Sequence, residues 1–144
     1  MSDRIFLDTN VFVYELEVSE PEKSAQATEL IYSAIKTRSG VVSYQVVQEF
    51  FNVAFKKFAK PLSIIEAEEY LRKTFVPLLA VDSSPRLFRE AIRIKSQHRL
   101  SWYDALIVAA ALEAECEVLY SEDLQSGRKF DGLRVVNPFL SLKS

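Results

Sequence analysis

Asp8, Asp104 and Asp123 are the residues of this chain best placed to do chemistry. Asp8 follows the apolar run Ile5-Phe6-Leu7, and Asp123 lies just past Val118-Leu119-Tyr120. Asp104 stands at the mouth of the almost wholly apolar stretch Ala105 to Leu112. Carboxylate oxygens are hard ligands, and Mg2+ or Mn2+ takes a few of them while keeping several waters. Such an ion acidifies a bound water, polarises a phosphodiester and stabilises the charge that builds at attack and departure. A group of acids therefore suits metal-assisted phosphoryl hydrolysis. Without a cation the acids repel: at ~4 Å each pair costs roughly 1 kcal/mol in water and about four times that at an effective dielectric near 20.

Taken singly, each acid also has a structural explanation. Asp8-Thr9-Asn10 suits an Asx turn or a helix cap, although an acid directly after three apolar residues starts from a partly desolvated position, where an unpaired carboxylate is costly. Ser101 with Asp104 three residues on is a capping-box arrangement. Glu49 belongs to a polar stripe with Gln45, Gln48, Asn52 and Lys56, opposite the apolar Val46, Val47, Phe50, Phe51 and Ala54. A solvated helix face explains that stripe unless it lines a cleft. Ser121-Glu122-Asp123 reads alone as an acidic loop before Gly127, Asp131-Gly132 as a turn, and Asp82 as part of the cap region before Pro85. Only the joint arrangement of Asp8, Asp104 and Asp123 points to a site.

The elements that must position these acids follow from apolar periodicity and punctuation. Short strands are expected at Arg4–Leu7, Val41–Val42, Leu78–Val81, Val118–Tyr120 and Leu133–Val136. Helices are expected from Ala25 to Ile35, from Tyr44 to Phe58 after Ser43, from Ile64 to Phe75 after Ser63, and from Arg86 to Gln97 after Ser84-Pro85. Val11 to Tyr14 adds a helical turn, and the stretch after Ser101 forms a helix buried on most faces. Strands alternating with helices, without hairpin signals, indicate one α/β domain over residues 1–144 with a mainly parallel sheet. In such folds ligands gather at the carboxyl ends of strands, where the sheet order reverses. Asp8, Asp104 and Asp123 lie at those places.

Composition narrows the class. The 144 residues carry 18 Lys+Arg against 20 Asp+Glu, a net charge of −2, so the total does not suggest a nucleic-acid binder, though a metal-binding acid cluster itself makes the total negative. The single cysteine, Cys116, excludes an internal disulfide and a cysteine zinc site and reads as a small buried hydrophobe. One histidine, His98, excludes a two-histidine nuclease and reads as a surface or loop residue, and three glycines form no phosphate loop. With no apolar leader and no run long enough to span a bilayer, a soluble cytoplasmic protein without membrane association is expected. A phosphatase using Asp8 as nucleophile would want a second Asp two residues on, where Asn10 stands.

Ile5-Phe6-Leu7-Asp8-Thr9-Asn10, the helix bearing Glu49, Leu100-Ser101-Trp102-Tyr103-Asp104-Ala105 and Leu119-Tyr120-Ser121-Glu122-Asp123-Leu124 together resemble the PIN-domain nucleases, particularly the small VapC-type toxin ribonucleases. The resemblance implies a PIN-like fold with a five-stranded sheet in the order 3-2-1-4-5 and cleavage of RNA with one or two Mg2+ or Mn2+ ions. It makes Asp8 and Asp104 the principal metal ligands and Glu49 a ligand or its hydrogen-bonding support. Asp123 is then the fourth acid, with Asn10 and Ser121 as orienting hydrogen-bonders. Homodimers and a cognate antitoxin are further implications. A non-catalytic RNA- or partner-binding domain of the same fold, its acids structural, is the alternative. RNA would need basic contacts. Arg86, Arg89 and Arg93 share one helix face near Lys95, His98 and Arg99, and Lys56, Lys57 and Lys60 form a second group.

Overall fold

The computed structural model describes residues 3–140. Strands β1 (Ile5–Leu7), β2 (Gly40–Ser43), β3 (Leu79–Val81), β4 (Val118–Tyr120), β5 (Lys129–Phe130) and β6 (Leu133–Val136) form one sheet in the order β3-β2-β1-β4-β6-β5. Neighbours are parallel except β5 and β6. The α/β architecture is as expected, with six strands where five were expected. The sixth is β5, which folds back on β6 through Asp131-Gly132, Asp131 taking a left-handed φ of 53°. The expectation that the chain contains no hairpin is therefore corrected: Asp-Gly between short apolar runs is a hairpin signal as well as a turn.

Six α-helices accompany this sheet among the described residues: α1 (Thr9–Leu16), α2 (Pro21–Lys36), α3 (Tyr44–Lys56), α4 (Ile64–Tyr70), α5 (Pro85–His98) and α6 (Trp102–Glu113). Ser63 and Glu66 form a reciprocal capping box on α4, at 3.1 and 2.9 Å. Ser84 Oγ accepts from Leu87 N at 3.0 Å, with Pro85 opening α5 as expected. Two expectations need correction. Helix α4 does not reach Phe75 as an α-helix; Leu71–Phe75 is a π turn closed by Val76 N on Leu71 O, and the fully buried Phe75 packs on Phe12 and Phe50. Ser43 occupies the cap position of α3 without capping it. Its residue also ends β2, and its hydroxyl is buried without a partner.

Helix α6 is buried from Ala105 to Ala111, as its all-round apolar sequence requires, and it packs against α5 and β2. No helix of the described residues is long and apolar enough to cross a membrane. On another face of the core, Phe12, Phe50 and Phe75 are fully buried, with ring centroids 4.8 to 5.2 Å apart where they touch. Gly40, at the start of β2, marks a close approach: a Cβ there would lie 2.7 Å from Ala34 Cβ and 2.6 Å from Leu78 Cδ2. Gly40→Ala is accordingly expected to destabilise the protein by about 1–3 kcal/mol through overpacking, read as a lower urea midpoint at unchanged m-value. An unchanged midpoint would show that α2 moves aside freely.

Candidate metal centre

The register of the sheet builds the site. Leu7 pairs with Tyr120, so the next residue of each strand, Asp8 and Ser121, leaves the sheet beside the other. This is the point where strand order reverses around β1, the place where α/β sheets open a crevice. Asp8 N donates to Tyr120 O at 3.0 Å, and Ser121 Oγ donates to Asp8 Oδ2 at 2.7 Å. The same hydroxyl accepts from Asp123 N at 3.2 Å and Leu124 N at 3.4 Å. One fully buried serine thus joins the end of β1 to the loop that carries Asp123.

Helices bring the other acids. Asp8 N-caps α1, its Oδ1 accepting from Thr9 N at 2.7 Å, and Thr9 Oγ1 donates to Glu49 Oε1 at 3.0 Å. Gln45 Nε2 lies 3.3 Å from both Glu49 Oε1 and Tyr103 O, tying α3 to the start of α6. Ser101 Oγ accepts from Asp104 N at 3.1 Å, but the Asp104 carboxylate accepts no hydrogen bond in return among the described residues. The capping box is one-sided, and it leaves that carboxylate uncommitted. Asp8, Asn10, Glu49, Asp104 and Asp123 all line one open cavity of about 470 Å3, with Ser121 directly behind it. Asn10 Oδ1 accepts from Glu122 N at 3.4 Å, while its Nδ2 is buried without a partner.

Several lining residues were not singled out in the sequence. Thr9 is the link between Asp8 and Glu49, and its only signal is its place between Asp8 and Asn10. Gln45 was assigned to a solvated stripe, of which only Gln45 and Glu49 turn into the cavity. Tyr14 and Glu122 also line it. Glu122 does not stay a free acid: Lys23 Nζ bonds it at 2.7 Å and Tyr14 Oη at 2.6 Å. Nothing in the spacing of Tyr14, Lys23 and Glu122 announces that cluster.

The basic residues gather elsewhere. Arg86, Arg89 and Arg93 line a separate groove of about 460 Å3 with Glu90, Leu112 and Glu113. Leu112 lies eight residues along α6 from Asp104, about 12 Å at the helical rise. Arg93 is paired with Glu90 and lies 3.9 Å from Asp131. Lys56 and Lys57 are exposed at the end of α3, and Arg99 is exposed past α5 with a left-handed φ of 55°. None of the six basic residues lines the acidic cavity. His98 ends α5 with its ring against Phe130, centroids 4.8 Å apart.

Burial pushes the Asp8 carboxyl up from 3.8 to about 7, and the charges of Asp123 and Glu49 push the same way. Hydrogen bonds from Ser121 and Thr9 oppose that rise without cancelling it. A cation beside Asp8 would reverse the balance. The donor set, carboxylates backed by hydroxyl and amide groups, suits a hard divalent ion such as Mg2+ or Mn2+. Among the described residues no three ligating side chains are gathered tightly enough to form a cage. The fit is therefore to a hydrated ion held by one or two carboxylates, with the others acting through water.

Comparison with known proteins gives a consistent family. A model of the PIN domain matches residues 5–129. Among solved structures, a toxin–antitoxin complex from Klebsiella pneumoniae superposes with a TM-score of 0.64 at 18% identity, covering 93% of this chain and 97% of that one. FitAB bound to an IR36 DNA fragment gives 0.67 at 18% identity, over 94% and 95% of the two chains. VapC20 of Mycobacterium tuberculosis, a Sarcin-Ricin loop cleaving toxin, gives 0.59 at 17% identity, over 83% and 89%. A search by sequence against curated proteins returns no match.

Because the Asp8 carboxyl is raised in the fold, folding favours its protonated form. Its contribution to stability is complete below about pH 4 and is lost as pH rises through about 7. In chelator, the melting temperature should fall across that window, by the equivalent of up to roughly 4 kcal/mol, and Asp8→Asn should flatten the dependence. Parallel pH profiles for the two proteins would refute the assignment of the raised group to Asp8.

Proposed function

We propose, from the premise that this chain belongs to the PIN domain family, that it is a divalent-metal-dependent endoribonuclease and the toxin half of a toxin–antitoxin pair. The observation that carries this function is the convergence of Asp8, Glu49, Asp104 and Asp123 on one cavity at the carboxyl edge of a parallel sheet. Asp8 and Asp104 are the principal ligands of Mg2+ or Mn2+, with Glu49 and Asp123 completing the acidic wall. When bound, the ion supplies a hydroxide-like nucleophile and neutralises charge on the phosphoryl group. The chain's own residues do the positioning. Ser121 and Thr9 hold the two oxygens of Asp8, Thr9 and Gln45 hold Glu49, and the Asn10 carbonyl holds the backbone of the loop bearing Asp123. Among the described residues Asp104 keeps a carboxylate free of hydrogen bonds, as suits a ligand.

Backbone phosphates of the RNA would be held by Arg86, Arg89 and Arg93 and by Arg99, Lys56 and Lys57, at some distance from the acids. The solved neighbours described as a toxin–antitoxin complex and as a Sarcin-Ricin loop cleaving toxin support the toxin assignment. Exposed Ile64, Ile65 and Val76 supply apolar surface for an antitoxin or for the second copy of a homodimer. Such a toxin would act in the cytoplasm. One observation favours the non-catalytic alternative, in which the acids are structural: among the described residues no three ligating side chains are tightly gathered. On that alternative Mn2+ would leave the melting temperature unchanged.

Labelled single-stranded RNA should be cut in Mg2+ or Mn2+ and left intact in chelator. Asp8→Asn and Asp104→Asn should stay folded and lose activity by at least about a hundredfold. Full cleavage by a folded Asp104→Asn protein would reduce Asp104 to a helix cap. Binding should also weaken steeply with salt. Replacing Arg86 and Arg89 together by alanine should lower the slope of log affinity against log salt by about 1.4, since single strands release roughly 0.7 counterion per phosphate contact. An unchanged slope would leave that groove out of the RNA path.

A further inference from the structure

Beside the acidic cavity lies a second, smaller and more enclosed pocket of about 200 Å3. The two share a wall made by Gln45 and Tyr103, whose side-chain amide and backbone carbonyl are 3.3 Å apart. The pocket floor is apolar, with Val81, Leu87, Leu106 and Ala110. Its rim carries aromatic rings that the fold leaves unusually open: Tyr44 is 47% exposed, Phe88 39% and Tyr103 61%. Ser43 also lines it, 3% exposed, with a hydroxyl that has no hydrogen-bond partner. Gln48 and Asp82 add a side-chain amide and a carboxylate.

We propose that this pocket receives one nucleobase of the RNA strand, next to the phosphate that is cut, and so sets sequence preference. The inference rests on the ribonuclease function proposed above. An apolar pocket with open aromatic rings at its rim is what an unstacked base needs, because every base has a π-face to stack. The Ser43 hydroxyl lies beneath the pocket surface, so base edges meet the exposed Gln48 amide and Asp82 carboxylate instead. The carboxylate of Asp82 accepts only, which favours bases carrying an exocyclic amine over uracil. The shared Gln45–Tyr103 wall supplies the geometry: a strand with its phosphate at the acids reaches the pocket by crossing that wall. The basic groove of Arg86 and Arg89 lies on the other side of Leu87, which lines both hollows, so strand contacts could continue from there.

The test uses short single-stranded RNAs carrying 2-aminopurine at successive positions, bound without divalent metal so that nothing turns over. With the parent protein, emission should change at one position. Ser83→Trp, made at an exposed position on the pocket rim, should abolish that change and weaken binding about tenfold. Asp82→Asn should keep the emission change. In competition cleavage with metal present, it should lose about tenfold of the discrimination against uracil at that position. RNA that binds with no position responding, or a response that survives Ser83→Trp, overturns the pocket while leaving the ribonuclease intact. Unaltered discrimination in Asp82→Asn overturns the role of the carboxylate. RNA that is neither bound nor cut overturns the pocket and the ribonuclease together.

Discussion

The hydrogen bond from Ser121 to Asp8 is the contact on which the site depends. A carboxylate with 4% exposure cannot keep its charge cheaply, and the fold answers with two short donors, the Ser121 hydroxyl and the Thr9 amide. Those donors come from different parts of the chain. Thr9 is the first residue of α1, whereas Ser121 is delivered by β4 after more than a hundred intervening residues. The bond therefore exists only because β1 and β4 are neighbours in register. It also passes the constraint on, since the same serine oxygen accepts the amides of Asp123 and Leu124 and sets the acidic loop.

Around that contact the acids divide into held and free. Asp8 and Glu49 are committed to hydroxyl, amide and backbone donors, and Glu122 is neutralised by Lys23 and Tyr14. Asp104 and Asp123 keep carboxylates with no partner among the described residues. Repulsion is lowered when the buried acid is fixed and the others, half-buried Asp104 and exposed Asp123, keep contact with water, where each close pair costs about 1 kcal/mol rather than several. The raised Asp8 carboxyl shows that the compensation is incomplete. A cation placed among these acids would relieve the repulsion that helps raise the Asp8 carboxyl.

The π turn and the unused Ser43 hydroxyl are the two places where local rules give way to packing. Leu71–Phe75 widens as Phe75 enters the aromatic cluster with Phe12 and Phe50. Ser43 ends a strand and precedes a helix with no loop between them, so its backbone is extended and its side chain turns inward instead of capping. In both cases burial of a neighbouring apolar surface outweighs a single hydrogen bond.

Element types were legible in the sequence because they are written in short periods. The all-apolar α6, the Ser84-Pro85 start of α5 and the Ser63–Glu66 box follow from neighbours within a turn or two, and the structure has them. The acids were legible as positions too, since an Asp after a buried strand or at a helix mouth is visible without coordinates. Asp131-Gly132 was legible as a turn but not as hairpin β5–β6, because the two-residue strand before it is too short to show a period. What the residues alone left open was which acids meet. Glu49 could have faced water, and only the tie through Thr9 and Gln45 turns it inward. The arginines share a helix face as read, yet packing of α5 on α6 sets them in a groove apart from the acids. Local propensity acts over a few residues, and the sequence determined that much. Convergence across more than a hundred residues depends on strand register and helix packing, which tertiary structure alone decides.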